Sequence, residues 1–392
     1  MNICFLTSGH LPFDDRIYYH QGRTLSDAGH RVGIISSKAE LKDNSGDISL
    51  DCFTGDELSK RSKIKRFVEC LESFSPDIII CSEPLPVVAA KNYSKRHNGK
   101  VRIVYDITEW YPSVKNLSHI SPGLRPLIFL KLLIFNIFAS RYADAFIFGE
   151  YYKSKPYRLL FPGKPSAYIT YYPDLKYINY TEPGLTGGRL RLCYTGRISS
   201  EKGFGNFINV LKELTENYPN LKVEVRVIGW YERLRDRKHG EVLLKTVKDR
   251  VAFTFSDRLP FPAFCESLNY PDIFIDLRAD TFENRHSLPI KLFYYAASGR
   301  PVIFSDLKAI RLETVTADFG FLVKPDKSGQ IVQIISNYLQ DSQLYYNHCR
   351  NARKAAEDFY NWGKISTAFL SFIDSCLPHK NANQEYHSDD NY

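Results

Sequence analysis

No two of the eight cysteines in this 392-residue sequence stand close together: Cys4, Cys52, Cys70, Cys81, Cys193, Cys265, Cys349 and Cys376 are scattered, several inside apolar runs where buried thiols are common. That spacing excludes a zinc ribbon and a disulfide framework and predicts reduced thiols in a cytoplasmic protein. The opening Met-Asn-Ile-Cys-Phe-Leu-Thr has no basic leader and reads as a first strand rather than an export signal. No apolar run reaches the roughly 20 residues needed to cross a bilayer. The most apolar stretch, residues 126–139, is broken by Lys131 and Asn136, so the sequence predicts a segment that can lie on a membrane without crossing it. Charge of one sign is not concentrated either. The 52 Lys and Arg against 44 Asp and Glu give +8. Such a diffuse excess suits anionic partners, such as nucleotide diphosphates or an acidic membrane face, and argues against nucleic acid, which calls for a concentrated basic patch. No acidic cluster calls for a metal, and no pair of carboxylates is spaced as in glycoside hydrolases.

What the sequence does have is 44% hydrophobic and 24% charged residues, enough for packed cores, and a length that predicts two domains rather than one. Short apolar runs bounded by turn residues alternate with longer helix-like stretches. A first series falls at 3–7, 32–36, 78–81, 103–105 and 145–148, and a second at 190–194, 223–228, 251–255, 273–277, 301–304 and 320–323. This alternation predicts an α/β fold that builds a doubly wound, Rossmann-like architecture twice, as two parallel sheets covered by helices and facing each other across a cleft. Between the two series, residues 179–189 are rich in Gly, Thr and Pro and read as a linker. The predicted organisation is a first domain over 1–185, a second over 186–362, an amphipathic helix over 363–377 packing back on the first domain, and a disordered polar tail over 378–392.

Doubly wound domains bind ligands at the carboxyl ends of their strands, and the residues with chemistry to offer gather there. Residues 194–203 read Tyr-Thr-Gly-Arg-Ile-Ser-Ser-Glu-Lys-Gly and lead into a helix. Glycines there allow close backbone approach, the helix N-terminus offers free amides, and Arg197 and Lys202 add two cations, an arrangement that suits a diphosphate. A second constellation, from Thr281 through Glu283, His286, Ser287, Leu288, Lys291 and Tyr294 to Gly299, reads as a loop after a strand, a helix opening near Pro289 and a glycine stop. In the first half, His10, Asp14 and Arg16 sit in the loop after the first strand, and Glu109 in the loop after 103–105.

Together these motifs resemble family 4 glycosyltransferases of the kind used in bacterial surface polysaccharide biosynthesis. Gly196-Arg197 with Glu201-Lys202-Gly203, and Lys291-Leu292-Phe293-Tyr294-Tyr295, are similar to the family's C-terminal half. Gly9 to Ile17 and Leu25 to Val32 are similar to its opening loop, helix and second strand, and the resemblance covers nearly all of residues 1–377. It implies the two-domain GT-B fold and a nucleotide-diphosphate-sugar donor, with neither a metal nor a separate cofactor. It also implies transfer with retention of anomeric configuration, the leaving diphosphate helping to deprotonate the acceptor. Arg197 and Lys202 match the pair that grips the donor diphosphate and stabilises the charge of the leaving group. Glu109, which follows Thr108 where the family has His-Glu, becomes a catalytic candidate on the acceptor side, in the first domain. Gly196, His10, Asp14, Arg16, Glu283, His286, Ser287, Leu288, Lys291 and Tyr294 become substrate-binding candidates. Two positions depart from the pattern: His286 and Tyr294 stand where the family normally carries a pair of glutamates, the second reaching the donor ribose. Both can hydrogen-bond a hydroxyl, but neither supplies a carboxylate. Glu283 is a candidate to compensate; an acidic residue at a helix start reads equally well.

On the acceptor side, residues 124–141 are apolar around much of a helix, with cations at Arg125, Lys131 and Arg141, and a basic run occupies 60–66. Such a helix can dip into a lipid interface, and a glycan or polyprenyl-diphosphate-linked acceptor at the inner face of the cell membrane would make sense of both segments. A buried core helix and a solvated helical face are the plainer readings. Two other functions fit the same fold. A nucleotide-sugar epimerase would need an acid/base pair that the sequence does not display. A non-catalytic nucleotide-sugar-binding scaffold would have no need to keep Arg197 and Lys202.

Overall fold

The computed structural model of this chain describes residues 1–117 and 120–377; the tail expected over 378–392 lies outside the described residues. Fourteen strands run in chain order: β1 (Asn2–Thr7), β2 (Arg31–Ser36), β3 (Lys38–Asp43), β4 (Ile48–Thr54), β5 (Ile78–Cys81), β6 (Arg102–Ile107), β7 (Ala145–Phe148), β8 (Ser166–Tyr168), β9 (Arg189–Arg197), β10 (Lys222–Trp230), β11 (Val251–Ser256), β12 (Ile273–Asp276), β13 (Val302–Ser305) and β14 (Gly320–Val323). They form two sheets, β3-β4-β2-β1-β5-β6-β7-β8 and β11-β10-β9-β12-β13-β14. Each sheet starts near its middle, grows to one edge, then crosses over and grows to the other, which is the doubly wound order. The two crossover points lie between β1 and β5 and between β9 and β12.

Strands such as β5, β7, β12 and β13 are buried along their whole length, because helices cover both faces of a parallel sheet. That continuous apolarity is why the sequence displays them. It does not display β3, β4 and β8. β3, Lys-Ala-Glu-Leu-Lys-Asp, pairs antiparallel with β4 at the sheet edge and alternates exposed and half-buried positions, so charged residues hide it, and they also discourage pairing with another chain there. β9 and β10 extend beyond their expected ends, with Gly196 opposite Gly229 and Arg197 opposite Trp230. Arg197 is therefore the last residue of a strand, not part of a loop.

The two units meet through aromatic rings. Tyr19 and Tyr177 of the first half pack on Phe261 at centroid distances of 4.4 and 5.3 Å, and Tyr172 packs edge-on against Phe293 at 4.9 Å. The final helix, Trp362–Ser375, lies against the first sheet: Trp362, Phe369 and Ile373 share a core with Ile3, Phe5 and Val32, and the Trp362 indole N–H donates to Thr24 Oγ1 at 2.8 Å. All eight cysteines are free, seven of them buried.

The helix Arg125–Ser140 is not a core helix. With the turn before it, it forms a 19-residue apolar helix, Pro122–Ser140, with mean hydropathy 1.6 and only 17% of its residues buried. By length and composition it could cross a bilayer, whereas the sequence reading stopped its apolar stretch short of that. The C-terminal part anchors it to the first domain: Asn136 accepts from the Tyr105 hydroxyl and donates to Tyr157 Oη and the Tyr111 carbonyl. Leu127, Leu130 and Ile134 are exposed. The basic run 60–66 opens the neighbouring helix Lys60–Phe74, where Lys60 Nζ lies 5.4 Å from the Phe135 ring.

Candidate functional site

Between the two sheets lies a cleft of about 450 Å³ at the carboxyl ends of their strands. Its first wall comes from the loops after β1 and β6, with His10, Glu109 and Trp110, and from the helix Tyr151–Leu160 after β7, with Lys153; its second comes from the ends of β9 to β12 and the start of the helix Ile290–Ala297. Arg197, Lys202, Arg258, Arg278 and Lys291 all line the second wall, against Glu201, Glu232 and Glu283. Cations outnumber carboxylates there, as an anionic ligand requires.

Why these residues converge follows from the local backbone. Gly203, with φ +79°, opens the helix Phe204–Asn217, and a Cβ there would fall 2.1 Å from the Leu277 carbonyl oxygen. Only glycine lets the loop after β9 press onto the end of β12, and that contact brings Lys202 beside the β12 loop. Gly196, φ +98°, faces the cleft instead, where a Cβ would lie 3.5 Å from Lys291 Nζ. Beneath them Asp276 is buried and accepts from Arg278 Nε and Nη2 at 3.0 and 2.8 Å and pairs with Lys291 Nζ at 3.0 Å. Burial alone would raise its pKa; the two cations hold the carboxyl well below the usual carboxylate range. The Lys291 ammonium is in turn held down by burial.

Glu201 joins the two cations that the sequence singles out. Arg197 Nη2 donates to its Oε2 at 2.8 Å while Arg197 Nη1 reaches Glu232 at 2.7 Å, and Lys202 Nζ lies 3.0 Å from Glu201 Oε1 and 3.1 Å from Asn284 Oδ1. Burial and the nearby Arg278 guanidinium lower the Lys202 pKa. A diphosphate placed here would replace carboxylate partners with its own oxygens, at geometry guanidinium groups favour.

The other sequence candidates divide. Glu109, Glu283, Ser287, Leu288 and Lys291 line the cleft with Arg197, Lys202 and Gly196. His10 lines it too, its Nδ1 2.8 Å from Asp14 Oδ2 and its Nε2 3.6 Å from Glu83. Against burial, which lowers it, Asp14, Glu83 and Glu109 push the His10 pKa up to about 10, so the ring is a cation at neutral pH. Asp14 itself does not line the cleft; it caps the helix Asp15–Gly22, accepting from the amides of Arg16 and Ile17. Arg16 is only 1% exposed. Its guanidinium is bidentate on Asp106, at 2.7 and 2.6 Å, and donates to the Ile169 carbonyl, which makes it a bracket inside the first domain rather than a ligand for substrate. His286 also misses the cleft lining: Nδ1–H donates to the Phe282 carbonyl at 2.9 Å and the ring packs on Phe282 and Tyr152. Tyr294, 2% exposed, is turned into the domain interface between Phe261 and Phe264, its hydroxyl donating to Asp15 Oδ2 at 3.2 Å. A phenol ring prefers that aromatic box to a polar cleft, and neither departure from the glutamate pair lines the cleft.

Residues the sequence reading did not single out are Lys153, Trp230, Arg258, Arg278, Asp276 and Asn284. Trp230 and Arg278 share a signal that was available, since Trp230 ends β10 and Arg278 follows the fully buried β12, whereas Arg258 follows β11, of which only Val251 is buried. Arg258 stacks 4.0 Å from the Trp230 ring. Lys153, fixed by the Thr108 carbonyl and Glu150 at 2.8 Å each, carries no such signal, lying within the helix Tyr151–Leu160.

The Asp15–Tyr294 contact also gives a pH test. Burial, then the neighbouring Asp14 carboxylate, push the Asp15 pKa up to about 7. A carboxyl raised in the folded state favours folding most below its unfolded pKa and loses that contribution as pH rises through the folded one. The stability of Asp15→Asn relative to the parent chain should therefore improve between about pH 4 and 7 and level off above. Thermal melts across that range check it, and a constant difference would show a normally titrating carboxyl.

Residues 189–341 match the family described as glycosyl transferases group 1. No curated protein matches the sequence. Among solved structures, the chain is similar to the sucrose-phosphate synthase of Thermosynechococcus elongatus, with a TM-score of 0.73 at 15% identity over 96% of this chain and 99% of that one. It is similar to Anabaena HepE in complex with UDP, with a TM-score of 0.67 at 16% identity over 96% and 100%. It is also similar to WaaG, a glycosyltransferase involved in lipopolysaccharide biosynthesis, with a TM-score of 0.66 at 15% identity over 93% and 99%. The fold is GT-B.

Proposed function

From a GT-B chain whose second domain matches group 1 glycosyl transferases, we propose a glycosyltransferase that takes a sugar from a nucleotide-diphosphate-sugar and transfers it, with retention of configuration, to a lipid-linked glycan acceptor in surface polysaccharide biosynthesis. The observation that carries this reading is the cluster of Arg197, Lys202, Arg278 and Lys291 at the strand ends of the second domain, facing His10 and Glu109 across the cleft. Arg197 and Lys202 serve as the preorganised charges that bind the diphosphate and stabilise it as it leaves. Asp276 fixes Arg278 and Lys291 beneath them. Glu109 and His10 face the acceptor, and Glu283, Ser287 and Leu288 the donor. With cationic side chains in this role, no divalent metal is needed. The reaction takes place at the inner face of the cell membrane.

The test is thermal stabilisation by UDP-, GDP-, ADP- and CMP-sugars with EDTA present, since a ligand that binds only the native state raises its apparent stability. One donor at 100 times its Kd should stabilise by about 2.7 kcal/mol. A flat panel would favour the scaffold reading and sink this one.

A further inference from the structure

Two side chains on the first-domain wall of the cleft break the local rules of the helix they open. Glu150 is the N-cap of the helix Tyr151–Leu160, a place favoured by Ser, Thr, Asp and Asn, and its carboxylate makes no capping hydrogen bond. Lys153 stands in the first turn, where the positive end of the helix disfavours a cation. Each turns to the other instead. Lys153 Nζ donates to Glu150 Oε1 and to the Thr108 carbonyl at 2.8 Å each, and the Lys153 and Glu150 side chains are only 8% and 10% exposed. Both residues line the cleft. Their bonding is unfinished: Glu150 Oε2 is buried with no hydrogen-bond partner among the described residues, and the third ammonium hydrogen of Lys153 has none among them either. On the same wall the indole N–H of Trp110 is also buried and without a partner among the described residues. A buried carboxylate oxygen left unmatched costs stability, and departures from local preference gather where a ligand is held.

We propose that Glu150 and Lys153 form a subsite for neighbouring hydroxyl groups of the acceptor's sugar, Glu150 Oε2 accepting from one hydroxyl while the Lys153 ammonium donates to the oxygen of the next. The inference rests on the transferase reading above and deepens it on the acceptor side. A sugar hydroxyl both donates and accepts, so two on adjacent carbons satisfy an acceptor and a donor that lie side by side. Charge selects the class of ligand. The pair is formally neutral, whereas the opposite wall carries the excess cations. A phosphate against the first wall would meet the Glu150 and Glu109 carboxylates; an uncharged sugar meets no such repulsion. The Trp110 N–H offers a donor to a third oxygen on the same wall. Because Lys153 is tied to the Thr108 carbonyl, the subsite is fixed to the loop that carries Glu109. Glu150 and Lys153 are thus positioning residues, and the making of the new bond stays with the groups described above.

Saturation-transfer NMR of the full chain with the methyl glycosides of glucose, galactose, mannose, rhamnose and N-acetylglucosamine tests this, and titration of the best binder gives its Kd. At least one should bind, and Glu150→Gln, which turns an amide toward a hydroxyl that needs an acceptor, should weaken it about tenfold or more. Deoxy forms of that glycoside supply a readout that a purely structural ion pair would not move. Removing the hydroxyl held by Glu150 should cost the parent chain about tenfold and the Glu150→Gln chain little further, since both changes break the same bond. Inorganic phosphate should not displace the glycoside. If Glu150→Gln does not fold, Glu150→Asp, which draws the oxygens back by one methylene, serves in its place. Thermal stabilisation of the same variants by the nucleotide-sugar panel reads the donor site separately. A donor response with no glycoside binding, or with binding that the variants leave unchanged, overturns the subsite alone. Glycoside binding that the variants lose, with no donor response in the parent, overturns the transferase reading and keeps the sugar site. Additive losses for every deoxy form, or displacement by phosphate, would also overturn the subsite.

Discussion

Arg197→Ala should lower the rate of sugar transfer by roughly 10²–10³-fold, the usual cost of removing one preorganised charge from a site where charge develops in the transition state. The guanidinium occupies the end of β9, held from two sides by Glu201 and Glu232, so its position is set before any ligand arrives. Truncation removes the cation and leaves those two carboxylates facing the diphosphate, which compounds the loss through repulsion. Lys202→Ala should act in the same range, and Arg197→Lys should recover only part of the rate, because an ammonium cannot offer the planar fork that matches two phosphate oxygens. Initial rates with the nucleotide sugar that stabilises the protein check this. The variants should melt within a few degrees of the parent, since Arg197 makes its bonds in a cleft rather than a core. Rates within about threefold of the parent in both alanine variants would remove these residues from the reaction and, with them, the preorganised-charge argument.

Asp106→Ala should produce the largest stability loss, about 3–5 kcal/mol, the cost of leaving a buried charge without its partner. Arg16 and Asp106 are each 1% exposed, and Asp106 accepts from Gln21 Nε2 as well as from both guanidinium nitrogens. The bracket ties the helix Asp15–Gly22 to the end of β6 and, through the Ile169 carbonyl and the face of Tyr171, to the cleft wall. Its loss should therefore also disturb His10, which lies in the loop between β1 and that helix. Urea denaturation measures the first effect; a change below about 1 kcal/mol would mean that water or a neighbour takes over the carboxylate's part.

How far the site could be read in advance depended on the kind of residue. Arg197, which ends β9 beside Gly196, and Lys202 just beyond it are legible because the middle of that strand, Leu192 to Tyr194, is apolar and buried and the ligand end of a doubly wound sheet is fixed by its topology. Arg16 also comes after the first strand of its domain but lies inside the helix Asp15–Gly22, and its place in the sequence could not show that Asp106, 90 residues away, claims its side chain. His286 and Tyr294 occupy the family's glutamate positions, yet their rings are drawn to Phe282 and to Phe261 and Phe264. Asp276 reads as one more polar residue at a strand end until Arg278 and Lys291 are seen to converge on it.

By itself the sequence determined the two doubly wound domains and the glycine-and-cation loop after β9, because each depends on local periodicity and on turn chemistry that no distant contact alters. Tertiary structure decided what periodicity cannot carry. It set the antiparallel edge strand β3, whose charges mask its pairing, and it exposed the helix Arg125–Ser140, which by composition could equally have been buried. It also decided which of the polar residues after the strands face the cleft and which are spent holding the walls, since a side chain's direction is settled by partners that the chain brings together only on folding.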